Sequence, residues 1–314
     1  MKYRRLGRSG LEVSEVGIGT NNFGGRLDYG KSEAVVHAAL AHGINPFDTA
    51  NTYSHGTSEE HIGRALKGRR SEAVIATKFG MKWADGPHGS GGSRKHVIDM
   101  LNGSLKRLQI DYIDLYQVHR QDPATPVQET LRALDDAVRS GKVRYIGCSN
   151  YDAWRIADAV RTSEQHGLAR FVSHQPEYSM LVRGIEKEVL PACEHYNLGI
   201  LPYFPLAHGF LTGKYRRGEA VPEGTRLALT PAAQKNRLTD QNFDVLESLE
   251  AFVQQRGKSL VDLAFAWLLS RPAVSSVIAG ASNPEQVAQN SSTCDWVLAA
   301  DEVSELDGIL NRQS

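Results

Sequence analysis

Three short apolar segments of the chain each lead into ionisable side chains. In chain order these are residues 44–47 with Asp48 and Tyr53, residues 73–77 with Lys78, and residues 112–118 with His119. A helical pattern follows each segment, which predicts parallel strands joined by crossover helices. Because the carboxyl ends of such strands lie on one side of the sheet, the four ionisable side chains are expected to converge there.

Together these four side chains suit the reduction of a carbonyl group. Tyr53 can pass a proton to a developing alkoxide if its pKa is lowered, and a neighbouring Lys78 ammonium would lower it. Asp48 would hold Lys78 by a salt bridge, and His119 would hydrogen-bond the carbonyl oxygen of the substrate. Taken singly, Asp48, Tyr53 and His119 are better explained by turn capping and packing. A lysine at the end of a buried strand needs a partner or a function, and it favours the catalytic interpretation of the set.

A wider set of motifs resembles the aldo-keto reductase superfamily over nearly the whole chain. The matching positions are residues 3–7, Gly43, residues 48–50, Tyr53, and residues 77–78, 114–119, 147–150, 205–207, 213–215 and 280–282. The resemblance implies a (β/α)8 TIM barrel and an NADPH-dependent enzyme that reduces aldehydes or ketones. Residues 280–283 are most similar to the branch that contains bacterial members and the beta subunits of potassium channels.

The pattern of apolar segments predicts an α/β fold with one barrel domain over residues 1–314, capped by a β-hairpin at residues 2–13. The eight strand candidates are residues 16–19, 44–47, 73–77, 112–118, 143–148, 171–174, 199–202 and 274–278. Helical patterns cover residues 31–42, 58–67, 94–107, 127–140, 152–166 and 260–270. Extra helices are predicted at 244–255, before the seventh barrel helix at 260–270, and near the C-terminus at 302–310.

Composition narrows the classes of partner. Lys plus Arg and Asp plus Glu number 36 each, which argues against nucleic acid and against electrostatic membrane binding. The three cysteines lack the spacing of a zinc site or a disulfide framework, so no metal is expected. The N-terminus lacks a signal-peptide pattern, and no apolar segment is long enough to span a membrane, which predicts a cytoplasmic protein. The expected partner is a small carbonyl substrate, and the sequence does not indicate an oligomeric state.

Polar side chains after strands five and six suit the carboxamide of a nicotinamide. A hydroxyl and two amides at Ser149, Asn150 and Gln175 can fix the orientation of that ring, although Ser149 or Asn150 could instead cap a helix. Further residues expected beside the nicotinamide are Gly19, Thr20, Asn21, Asp48 and Tyr203, the last by resemblance. For Gly19 and its neighbours, a strand that simply needs small residues is an equal alternative.

Residues 204–240 show little periodicity and are predicted to be a cofactor-binding loop, because structureless loops of this length are usually functional. Backbone amides and positive charge suit a pyrophosphate at Leu206, Gly209, Leu211, Gly213, Lys214, Arg216 and Arg217, although a solvated surface also explains the two arginines well. Phe204 and Pro205 are predicted to contact the cofactor as well. After strand eight, a helix N-terminus near Pro284 predicts an anion site. By resemblance, the adenosine half is held by Gly280, Ser282, Gln286 and Asn290. The flanking Ala281 and Asn283 lack the positive charge that many relatives have there, so NADH remains possible beside NADPH.

Predicted substrate contacts are Tyr53, His119, Arg120 and Trp83, and the barrel opening is expected to include Asn22, Phe23 and Tyr178. Arg120 suggests an anionic or strongly polar substrate, with a salt bridge to Asp122 or Glu177 as an equal alternative. Two other functions remain open. One is a barrel aldolase that forms a Schiff base on Lys78. The other is a redox-sensing subunit that binds NADPH with little or no turnover.

Overall fold

The computed structural model describes residues 1–311, and its central feature is a sheet of eight parallel strands. A two-stranded hairpin, β1 (Tyr3–Arg5) and β2 (Glu12–Ser14), precedes the sheet. The sheet strands are β3 (Val16–Gly19), β4 (Pro46–Asp48), β5 (Val74–Phe79), β6 (Ile113–Val118), β7 (Val143–Ser149), β8 (Phe171–Gln175), β9 (Gly199–Ile200) and β10 (Val277–Gly280). Their spatial order runs from β10 to β3 and then through β4 to β9.

The two edges of this sheet meet and close a barrel. Parallel bridges join Ile200 to Val274 and Tyr203 to Ile278. The amide of Ile200 donates to the carbonyl of Ala273 at 2.7 Å, and the amide of Ile278 donates to the carbonyl of Pro202 at 3.0 Å. Closure removes the exposed edges of the sheet. The predicted (β/α)8 barrel is therefore confirmed.

The N-terminal hairpin covers the barrel floor, as predicted. Gly7, in its turn, has a φ of +54°, and a Cβ atom there would lie 2.3 Å from the carbonyl oxygen of Val172 and 2.6 Å from the amide of Gly199. Only glycine allows this approach to the amino-terminal ends of β8 and β9. Ser275 strengthens the contact, because its hydroxyl donates to the carbonyl of Arg5 at 3.0 Å.

Helices surround the barrel. They are α1 (Tyr29–Ala41), α2 (Thr57–Ala65), α3 (Arg94–Leu108), α4 (Val127–Arg139), α5 (Ala153–His166), α6 (Val189–Tyr196), α7 (Pro231–Arg237), α8 (Asp240–Gln254), α9 (Leu260–Leu269), α10 (Pro284–Ser292) and α11 (Ala300–Leu310). Helix α9 begins at a capping box formed by Ser259 and Asp262, and all of its residues except Asp262 are buried. None of the helices in the described range has both the length and the apolar character needed to cross a bilayer.

Several element boundaries differ from the sequence prediction. Helix α6 was not predicted, because Pro191 interrupts its pattern; in the first turn a proline removes only an amide that has no helical partner. Helix α7 lies inside the segment that was predicted to have no regular structure. The last strand begins three residues later than the predicted start at Val274, which instead makes one of the closing bridges.

Candidate active site

A cavity of about 690 Å3 opens at the carboxyl ends of the barrel strands. It brings together most of the residues predicted for cofactor and substrate. Those in its lining are Gly19, Thr20, Asn21, Asp48, Tyr53, His119, Arg120, Ser149, Asn150, Gln175, Tyr203, Phe204, Pro205, Leu206, Gly209, Lys214, Gly280, Ser282, Gln286 and Asn290. A cavity of this size and position is where barrel proteins bind their ligands.

Lys78 lies beneath this cavity and joins two of the predicted catalytic residues. Its ammonium donates to Asp48 Oδ2 at 2.7 Å and to the carbonyl of Thr49 at 2.9 Å. A third hydrogen bond reaches Tyr53 Oη at 3.4 Å. The Lys78 side chain is completely buried, so these three acceptors replace the water that its charge has lost.

The chain between Asp48 and Tyr53 continues the pairing of β4 with β5. The amide of Thr49 donates to the carbonyl of Ala76, and that of Asn51 donates to the carbonyl of Lys78. Tyr53 then begins a tight 3-10 turn in which Ser54 and His55 have φ near +50°, a backbone conformation that costs free energy for residues with a Cβ atom. The barrel strands and this turn thus fix the position of the Tyr53 hydroxyl over Lys78.

The electrostatics of Tyr53 differ from the sequence prediction. Burial raises the pKa of the phenol, and the Lys78 ammonium opposes this without reversing it. Tyr53 therefore holds its proton at neutral pH. Burial also opposes the charge on Lys78, but Asp48 and Tyr53 together raise the pKa of its ammonium. Lys78 is consequently charged and can stabilise a phenolate that forms when the proton leaves.

His119 faces the same point from the end of β6. Its ring packs edge-on against Tyr53 with 5.9 Å between centroids, and its amide donates to the carbonyl of Phe79 at 2.8 Å. Burial, followed by the charges of Lys78 and Arg120, lowers the pKa of His119 to about 3. The imidazole is therefore neutral near pH 7 and can donate one hydrogen bond to a carbonyl oxygen without bearing a charge.

A buried ion pair that sequence analysis missed supports the strand that carries Lys78. Glu59 accepts hydrogen bonds from Thr77 and from Arg107 Nε, both at 2.6 Å. The Arg107 guanidinium in turn lies 4.7 Å from the ring centre of Trp83. Trp83 was predicted to contact substrate, but it packs on Arg107 and does not line the cavity. The available signal for this support was the position of Thr77, which directly precedes Lys78.

The side chains predicted for the nicotinamide carboxamide are tied to one another and to Asp48. Gln175 Nε2 donates to Asp48 Oδ1 at 2.8 Å, so both oxygens of that carboxylate are bound. Asn150 donates to Ser149 Oγ and accepts from Tyr203 Oη at 2.8 Å. Gln175 Oε1 and one amide hydrogen of Gln175 remain for a ligand. These groups form a pre-ordered polar wall.

The belt segment, residues 204–240, contributes less of the cavity than predicted. Leu211 is buried in the core, and Gly213 lies against Leu260 and Glu250, so neither lines the cavity. Lys214 does line it, and its ammonium lies 5.5 Å from the ring centre of Tyr215. The cofactor prediction for Leu211 and Gly213 is thus not supported by their positions, because their space is filled by protein.

The residues predicted for adenosine lie at the end of β10, in the loop that follows it and on α10. The amide of Ser282 donates to Gln286 Oε1 at 2.8 Å, and Asn283 Oδ1 caps the helix by accepting from the amide of Gln286. Asn290 Nδ2 is buried and has no hydrogen-bond partner within the described range. An unpaired buried amide in a cavity wall fits a ligand with polar groups there.

The residues around the cavity opening differ in part from those predicted. Phe23 and Tyr178, predicted for the opening, are fully buried in the core and do not line the cavity, whereas Asn22 does. Arg26 and Arg226 line it, although sequence analysis did not select them. The available signals were that Arg26 directly follows two glycines and that Arg226 lies in the belt segment, two residues after Gly224.

Comparison with known proteins agrees with this geometry. A profile described as "Aldo/keto reductase family" matches residues 15–311. A probable voltage-gated potassium channel subunit beta of Oryza sativa subsp. japonica is 38% identical, over 99% of this chain and 97% of the relative. An L-glyceraldehyde 3-phosphate reductase of Escherichia coli strain K12 is also 38% identical, over 92% of this chain and 86% of the relative.

Proposed function

Because the chain belongs to the aldo/keto reductase family, an assignment that supports NAD(P)H-dependent oxidoreductase activity, we propose that it reduces an aldehyde or ketone to an alcohol with NADPH. The observation that carries this proposal is the Lys78 ammonium, bound between Asp48 Oδ2 at 2.7 Å and Tyr53 Oη at 3.4 Å. A charged amine beside a protonated phenol is the arrangement that a proton donor needs when a carbonyl oxygen becomes an alkoxide.

The residues at the mouth of the barrel fit a nicotinamide dinucleotide. Gln175 retains free hydrogen-bonding groups for a carboxamide, Lys214 supplies positive charge for the phosphates, and the buried, unpaired amide of Asn290 lies at the far end of the cavity. When bound, the reduced cofactor would supply the hydride that the carbonyl carbon accepts. Neither Ala281, which is buried, nor Asn283, which caps α10, carries a positive charge. The positive charge for a 2′-phosphate would therefore come from arginines elsewhere in the cavity.

The remaining steps belong to the protein. His119, neutral because burial keeps its pKa at about 3, donates a hydrogen bond to the substrate oxygen and orients it. The Tyr53 proton moves from Oη to that oxygen, and the phenolate left behind is stabilised by Lys78. Asp48 keeps Lys78 in place, and solvent returns a proton to Tyr53 after the alcohol leaves.

The direct test is consumption of NADPH with a panel of small aldehydes, dicarbonyls, sugars and aromatic ketones, repeated with NADH. Tyr53→Phe should lower kcat by a factor on the order of 10²–10⁴ while the Kd for NADPH stays nearly constant. Tyr29→Phe is the matched control, because Tyr29 lies on α1 and does not line the cavity. Substantial turnover by Tyr53→Phe would remove Tyr53 as the proton donor.

A second candidate function is a cofactor-binding subunit with negligible turnover. It is supported by the probable potassium channel subunit beta, which matches nearly the whole chain. Tight NADPH binding without oxidation by any carbonyl compound of the panel would favour this function over the reductase.

The Schiff-base aldolase is less compatible with the site. A Schiff base requires a neutral amine, but Asp48 and Tyr53 raise the pKa of Lys78, and its hydrogens are directed to three acceptors. Covalent trapping of a carbonyl substrate on Lys78 by borohydride would reverse this conclusion.

A further inference from the structure

The charge that Arg120 brings to the cavity is not used by the protein itself. Arg120 directly follows His119, is exposed, and lines the cavity. Within residues 1–311 its guanidinium has no hydrogen bond or ion pair with another residue. An unpaired guanidinium beside a residue that faces the substrate is available to bind an anion.

The two salt bridges considered for Arg120 do not form, because both carboxylates have other partners. Asp122 accepts from the amides of Gly92 and Ala124 and from the hydroxyl of Thr125, at 2.6–2.9 Å. Glu177 pairs with Arg237 at 2.7 Å. Each carboxylate is thus occupied by other donors, and neither is paired with Arg120.

Arg120 acts on the end of the cavity where the carbonyl group would react. Its charge contributes to the lowered pKa of His119 and acts against the raised pKa of Tyr203. His119 and Tyr203 are joined through Asn150, which donates to the backbone carbonyl of His119 and accepts from Tyr203 Oη. The guanidinium is therefore within electrostatic range of both sides of this wall.

The other cations of the cavity are associated with the belt segment. Arg226 lies 4.7 Å from the ring centre of Phe204, and Arg26 donates to the carbonyl of Gly224 at 3.1 Å. Lys214 is part of the same segment. Lys214 and Arg26 suit the phosphates of a dinucleotide, and Arg226 is close enough to Tyr53 to oppose the rise in its pKa. Of the cations that line the cavity, Arg120 is the one that acts on His119.

We propose that Arg120 determines specificity by binding a carboxylate or phosphate group on a short carbonyl substrate whose reacting oxygen lies at Tyr53 and His119. This inference rests on the proposed reductase function and adds the chemical class of the substrate. A guanidinium can bind either anion through two parallel hydrogen bonds, which also fixes the orientation of the carbonyl group.

The test compares matched substrates that differ in one anionic group. The pairs are glyceraldehyde 3-phosphate with glyceraldehyde, and succinate semialdehyde with butanal. For each pair, the ratio of kcat/KM for the anionic to the neutral aldehyde is measured. We expect wild type to favour at least one anionic member by about tenfold or more, and Arg120→Met to lower that ratio by a factor on the order of 10–100. The pair that responds distinguishes phosphate from carboxylate.

Two further variants separate recognition from damage to the fold. Arg120→Lys should recover part of the ratio, because it keeps the charge but loses the planar pair of donors. Arg132→Met removes an exposed arginine on α4 that does not line the cavity and should leave the ratio unchanged. Neutral aldehydes and the Kd for NADPH report whether Arg120→Met retains an intact site.

The outcomes for the inference and for the proposed function are distinct. Reduction of neutral and anionic aldehydes at equal kcat/KM, or an Arg120→Met ratio equal to that of wild type, overturns the inference and leaves the reductase intact. If wild type reduces no aldehyde, binding of glycerol 3-phosphate and of succinate to the NADP+-loaded protein is measured by calorimetry. Binding of either that is lost in Arg120→Met supports the anion site without the reductase, and no binding of either overturns it.

Discussion

The strand-end residues and the belt segment line one cavity but are built in opposite ways. At the strand ends, Lys78 is fully buried and its ammonium is fixed by acceptors on two neighbouring residues. In the belt segment, Arg217 is exposed and forms surface ion pairs with three acidic residues of α8. Buried pairs fail sharply when one member is removed, whereas exposed pairs contribute little each. Under the proposed function, the rigid strands would carry the chemistry, and the loop with its exposed ion pairs would bind the long cofactor.

The most severe test of this contrast is Lys78→Met. We expect kcat to fall by a factor on the order of 10²–10⁴, because the Tyr53 phenolate loses its stabilising charge. Stability should also fall by roughly 3–5 kcal/mol, since Asp48 becomes a buried carboxylate without its cation. Steady-state kinetics and chemical denaturation measure the two effects.

Pairing this change with Asp48→Asn separates the two losses. The double variant should regain part of the free energy of unfolding, because no uncompensated charge remains, yet turnover should stay absent. Recovery of turnover in the double variant would contradict the role proposed for Lys78.

Acid should weaken both regions, because burial lowers the pKa of His208 in the belt segment and of His174 in the barrel interior to about 4. His174 on β8 is completely buried next to the Cys148 thiol, and burial lowers the pKa of its imidazole to about 4. Unfolded chains bind this proton below about pH 6.5, whereas the folded protein does not until about pH 4, so stability falls as pH drops through that window. The difference for His174 corresponds to roughly 3 kcal/mol.

His174→Gln should therefore reduce the dependence of unfolding free energy on pH between about 6.5 and 4, and the slope that remains comes from groups such as His119 and His208. Denaturation curves at a series of pH values measure this slope. The same slope in His174→Gln and wild type would show that this buried imidazole does not carry the acid sensitivity.

The belt segment should give the smallest effect. Lys214→Met is expected to raise the Kd for NADPH by about tenfold, with the largest difference at low salt, and to leave kcat nearly constant. Lys235→Met, an exposed lysine on α7 outside the cavity lining, is the control. A large fall in kcat in Lys214→Met would contradict the proposal that the loop binds the cofactor while the strand ends carry the chemistry.

The barrel and the meeting of its strand-end side chains could be predicted because both depend on local patterns. Apolar segments mark the strands, and parallel connections fix which ends coincide, so Asp48, Lys78 and His119 were expected together before any coordinates. Their catalytic roles stay predictions until the variants are measured.

Long-range packing explains what the sequence could not reveal. Trp83 has no local signal that it packs on Arg107, and Phe23 is buried only because the loop after β3 folds inward. The sign of the pKa change at Tyr53 depends on the balance between burial and a single ammonium, and burial has no local pattern at that position. Arg26 and Arg226 reach the cavity from segments far apart in the chain.

The seam that closes the barrel also forms part of the cavity wall. Tyr203, which follows β9, bridges to Ile278 of β10 across the seam that closes the barrel, and both residues line the cavity. A ligand bound against Tyr203 and Ile278 would therefore stabilise the closed barrel. Because such a ligand binds only the folded protein, the free energy of unfolding should rise with ligand concentration.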